Sequence, residues 1–149
     1  MKITAPRLLV LPAAVALALS MTGCSAVANI AHKTHDESFA DRAAATTGWT
    51  GVPAPSWLPS DATDIHNLAT NDETNAVIAL KSTSREPSGC VEADRRAIPF
   101  DQPSWAPKLD RFPDRVQRCG DYEVMRIDGG LLGWFSATEA GQKPTASAS

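Results

Sequence analysis

Tyr122-Glu123-Val124-Met125-Arg126-Ile127-Asp128-Gly129-Gly130-Leu131-Leu132-Gly133-Trp134-Phe135 is the stretch whose reading decides the fold. Two runs of aliphatic and aromatic residues flank a tip whose glycines supply the positive φ angles that a tight hairpin turn requires. Either Asp128-Gly129 or Gly129-Gly130 can form the tip. The two registers differ by an even shift, so both leave Met125 and Ile127 on the face that carries Leu132 and Trp134. That face is the predicted core.

Working outward, residues 76–81 read as a strand with Ile78 and Leu80 on one side and Val77 and Ala79 on the other, the pattern of a strand central in its sheet. Residues 65–69 form a weaker strand, joined to it by the polar turn Asn71-Asp72-Glu73-Thr74. The segment 82–120 is rich in proline and charge and poor in strand patterning, so it reads as a long loop that needs a fastener. A short helix is predicted at its end over 113–118, with Pro113 in the first turn and Asp114 favourable to the helix dipole. The fold class expected is β-rich α+β, with a small antiparallel sheet of about four strands.

Residues 1–23 read as an export signal. Lys2 and Arg7 make a positive start, and the 12 residues 8–19 are apolar apart from Pro12. Crossing about 30 Å of hydrocarbon takes roughly 20 helical residues, so this segment is cleavable and not a span. Its end, Met21-Thr22-Gly23-Cys24, resembles the lipobox of bacterial lipoproteins, in which a small residue and then Gly precede Cys; Met21 stands where that family usually has Leu. The resemblance implies a diacylglyceryl group on the Cys24 thiol and cleavage between Gly23 and Cys24. It implies a mature protein held at the extracytoplasmic face of a cell membrane by its lipid anchor.

Setting Cys24 aside from the three cysteines leaves Cys90 and Cys119, an even pair in a chain sent to an oxidising compartment. They lack the C-x-x-C spacing of a redox or zinc pair and are predicted to form a disulfide. That disulfide is the fastener for the long loop. Closing about 30 residues contributes roughly 3.5 kcal/mol in the chain-entropy model.

The 14 basic residues less Lys2 and Arg7 leave 12 against 17 acidic, a mature charge of −5. No basic stripe is present to displace counterions, which argues against nucleic acid as a partner. Composition divides the chain into the signal 1–23, a partly helical tether 24–48 capped by Asp36 or Ser38 and ended by Gly48, a domain 49–137, and a tail 138–149 too polar to bury apolar area.

One small repeat stands out. Pro55-Ser56-Trp57-Leu58-Pro59 recurs in form as Pro103-Ser104-Trp105-Ala106-Pro107, each placing an aromatic on a stiff extended strut. Trp57 and Trp105 are the candidate binding residues; the competing reading makes both rings covers for a thin sheet.

No catalytic signature is legible. Of the three histidines, His32 and His35 sit in the tether, where with Asp36 they make a weak metal set. His66 has no nucleophile elbow near it. Asp61 with Asp64, and Glu92 with Asp94, read as turn and surface carboxylates, and Arg111, Arg115 and Arg118 as solvated ion pairs. No cofactor or metal is expected. The sequence thus predicts a non-enzymatic envelope lipoprotein whose small module binds a partner protein, a wall polymer or a small ligand, the alternative being a small envelope hydrolase or an enzyme accessory subunit.

Overall fold

The structure, a computed structural model, describes residues 33–50, 54–138 and 142–144. The signal, Cys24, His32 and most of the 138–149 tail lie outside the described residues.

The hairpin forms as read. β6 (Tyr122–Ile127) and β7 (Gly130–Ser136) pair with Met125 opposite Leu132, across an Asp128-Gly129 tip in which Gly129 takes φ +72°. β3 (Asn75–Lys81) pairs with the other side of β7, and β2 (Thr63–Thr70) with β3. These are the four strands expected from the sequence.

Three further strands extend the sheet to seven. β1 (Thr34–Asp41) adds to β2, β5 (Arg115–Cys119) to β6, and β4 (Val91–Asp94) to β5, giving the order β1-β2-β3-β7-β6-β5-β4 with every neighbouring pair antiparallel. β1 lies where a tether was expected. Its polar sequence suits an edge strand, which needs backbone pairing on one side only and is kept from further pairing by charge. Phe39, its one large apolar residue, stacks on Trp49 at 5.5 Å. The helix of this region is α1 (Arg42–Gly48), capped by Asp41 rather than Asp36 or Ser38: the Asp41 carboxylate accepts from Ala44 N–H at 2.8 Å.

The expected helix over 113–118 is also replaced by a strand. Arg115 reaches across to β4, 2.6 Å from Glu92 and 3.1 Å from Asp94, while Val116 and Cys119 turn inward. These cross-strand pairs outweigh a single favourable dipole contact in so short a helix. Cys90 and Cys119 are joined by a disulfide that flanks the β4–β5 pairing, next to Val91 opposite Arg118.

Both faces of the sheet are buried. The first carries Ile65, Ile78, Leu80, Val124, Leu131 and Phe135; the second carries Val77, Ala79, Val116, Leu132 and Trp134, with Met125 and Ile127 partly buried. The face expected to be the core is therefore one of two, and the smaller. The first face is covered by Ala45, Trp57, Leu58 and Ala62, the second by Trp105, Ala106, Leu109 and Phe112.

The Pro-Ser-Trp repeat does the same job on each face. It is a turn, not an extended strut: Leu58 N–H donates to the Pro55 carbonyl at 3.3 Å, and Ala106 N–H to the Pro103 carbonyl at 2.9 Å. Each proline supplies the accepting carbonyl that opens the turn, and the residue after Trp is buried.

Gly133 marks where the first cover is seated. A Cβ there would lie 2.5 Å from one ring carbon of Trp57, a residue only 1% exposed that has nowhere to retreat. Gly133→Ala should destabilise the protein by about 1–3 kcal/mol in denaturant unfolding, and an unchanged midpoint would contradict this seating.

Candidate binding surface

Trp57 and Trp105 occupy opposite faces of the sheet and do not form one surface. Trp57 is enclosed among the first-face residues, tilted against Tyr122 at 5.9 Å, so its assignment as a contact residue is corrected to a core residue. Trp105 is half-buried at the β1–β2 border of the second face.

The surroundings of Trp105 follow from strand register. Asp36 and Ser38 of β1 pair with Leu68 and His66 of β2, and residues paired across an antiparallel ladder project to the same side. The Trp105 ring stacks on His66 at 5.2 Å, 20° from parallel, and its indole N–H donates to Asp36 at 3.2 Å. His66 Nε2 lies 3.2 Å from Asp64, whose other carboxylate oxygen lies 2.7 Å from Lys81. Asp64 has φ +48°, where the β2–β3 register shifts, and its side chain meets both His66 and Lys81.

Lys81 first, and then His66, hold the Asp64 carboxyl below its ordinary range. With Ser38 and Phe39 these residues line an open hollow of about 480 Å³. Ser38 sits opposite His66 in the ladder, but no hydrogen bond joins its hydroxyl to the ring. The arrangement offers an aromatic face, an ion pair and a hydroxyl for contact. His35 projects to the other side of β1, toward Asn71 at 3.3 Å, because alternation in a strand separates it from Asp36. Among the described residues no three metal-ligating side chains come together.

Two carboxylates have roles that their sequence context does not show. Glu123, 3% exposed, accepts from Ala97 N–H at 3.0 Å and from the Trp134 indole at 3.0 Å, pinning the start of the 95–114 loop to the second face. Asp61 accepts from the hydroxyls of Ser82 and Thr83 at 2.6 Å each, from Thr83 N–H at 2.8 Å and from Ser84 at 3.0 Å. Its partners are 21 or more residues away in sequence, so no local motif announces them.

Comparison with protein-family models, with curated proteins and with solved structures finds no match.

The hydrogen bonds from Ser82, and then Thr83, hold the Asp61 carboxyl well below its ordinary range. A depressed folded-state pKa contributes stability that is present above the unfolded carboxylate range, near pH 4, and is lost as pH falls through the folded value. Asp61→Asn should therefore be less stable than wild type at pH 7 and show a shallower loss on acidification. Parallel acid-unfolding curves for the two proteins would contradict this.

Proposed function

We propose that the chain is a lipid-anchored envelope protein, attached through Cys24 at the extracytoplasmic face of a cell membrane, whose sheet presents a non-enzymatic contact surface centred on Trp105. The observation that carries this reading is the Cys90–Cys119 disulfide. Such a bond persists in oxidising compartments, and the signal ending at Gly23-Cys24 would deliver the chain to one. A disulfide also suits a domain whose second face is closed by an irregular loop instead of a helix.

Contact through Trp105 is supported by its half-buried ring, stacked on a histidine that lines an open hollow. The stack on His66 and the bond to Asp36 hold the indole in one orientation, so little side-chain entropy remains to be lost on binding. A partner protein or a wall polymer of the envelope fits so shallow a surface better than a small molecule, which would be enclosed on few sides.

In the native host, the wild-type protein should fractionate with membranes and carry an acyl mass on Cys24, while Cys24→Ser should be unmodified and leave the membrane fraction. A bare Cys24 thiol in the wild-type protein would reject the anchor. Trp105→Ala should lose partners recovered by cross-linking in intact envelopes, and an unchanged partner set would reject the contact surface.

A further inference from the structure

The tail beyond residue 138, expected from its composition to bury no apolar area, returns to the sheet at residues 142–144. Gln142 accepts from the Thr138 N–H at 3.2 Å and from the Thr138 hydroxyl at 2.8 Å, Lys143 lies 2.9 Å from Glu73, and Pro144 is buried. These polar holds are exposed and individually weak, so the strap can be displaced.

Pro144 sits in a hollow of the first face. The floor is low because Ala69 of β2 pairs with Ala76 of β3, where the same face carries Ile65 and Ile78 further along. Trp49, Asn67, Glu73 and Tyr122 complete the lining that matters here. With Pro144 in place about 10 Å³ is left free, room for about one water.

Two of these groups are unsatisfied. Asn67, 2% exposed, gives its Nδ2 to Glu37 at 3.1 Å, but its Oδ1 has no hydrogen-bond partner among the described residues, and neither has the phenol oxygen of Tyr122, 3% exposed. Buried polar atoms without partners are rare because they are costly. Burial, and then Asp121, push the Tyr122 phenol above its ordinary range, which leaves it protonated and able to donate. Proline has no N–H, so Pro144 cannot satisfy the Asn67 oxygen.

We propose that this hollow recognises an extended peptide of a partner protein in which a basic residue precedes proline, and that Lys143-Pro144 occupies it in cis as a displaceable strap. The proline ring of the peptide takes the seat of Pro144 beside Trp49 and Tyr122, and the cation takes the place of Lys143 at Glu73. An extended proline-bearing backbone makes no hydrogen bonds within itself, so its carbonyl and N–H groups are free for the Tyr122 hydroxyl and Asn67 Oδ1. The site lies on the first face and Trp105 on the second, so neither surface needs the other.

The test uses the full-length protein in neutral detergent micelles and a labelled peptide of residues 141–147, Gly-Gln-Lys-Pro-Thr-Ala-Ser, read by fluorescence anisotropy. Lys143→Ala with Pro144→Gly in the protein opens the strap and should tighten peptide binding about tenfold or more over wild type, where the tail competes from the same chain. On the opened protein, Lys143→Glu or Pro144→Ala in the peptide should weaken binding about tenfold. Tyr122→Phe removes only a hydroxyl that the fold leaves unpaired, so its melting should be unchanged or raised while peptide binding to the opened protein falls about fivefold. Trp105→Ala should change binding less than about twofold, which separates this claim from the Trp105 surface. Absent binding by the opened protein, equal binding of the Pro144→Ala peptide, or undiminished binding by Tyr122→Phe would each overturn the proposal. So would a wild-type dimer that Pro144→Gly dissolves, since the occupant would then be the tail of a second copy.

Discussion

Strands β3 and β7 lie at the middle of the sheet with large apolar side chains on both sides: Ile78 and Leu80 against Val77, and Leu131 and Phe135 against Leu132 and Trp134. Such a sheet cannot stand in water without a cover on each face, since each buried large apolar side chain contributes about 1.5–3 kcal/mol only when it is enclosed. Neither cover is built as a long helix. The first is a two-turn helix, capped by Asp41, followed by the Trp57 turn; the second is the loop 95–114 with the Trp105 turn. Irregular segments have few bonds of their own and must be fastened. Asp61 ties the first cover to the strand end after β3, Glu123 pins the second, and the disulfide, whose cysteines pack with the first face, closes the β4–β5 pair from which that loop extends. Removing the Glu123 carboxylate would leave the Ala97 amide and the Trp134 indole short of an acceptor, at about 1–3 kcal/mol for each buried donor left unpaired.

The legible parts of this fold are the local ones. The β6–β7 hairpin is written in adjacent residues and a glycine tip, and β2 and β3 in their apolar content and short polar turn. Edge strands leave no such trace. β1 and β4 are held by backbone pairing and carry mostly polar side chains, so their sequences match a tether and a loop equally well. β5 was hidden for a related reason: its Arg115 meets acids on β4 that stand more than 20 residues earlier. The disulfide was legible because cysteine parity is a property of the whole chain and needs no geometry.

The two Pro-Ser-Trp turns show the limit most clearly. Their sequences predict similar rings in similar settings, and the turns are indeed alike. Trp57 is swallowed because Gly133 leaves a socket beneath it, while Trp105 meets the imidazole of His66 and stays half-open. What lies opposite a side chain decides its exposure, and register alone supplies that information.

The dependence of the second face on its fastened loop is tested most directly by thermal unfolding of the full-length protein with and without reductant, read by tryptophan fluorescence. The bond closes a span of 29 residues, so reduction should lower stability by about 3.5 kcal/mol. Superimposable curves in the two conditions would contradict the account.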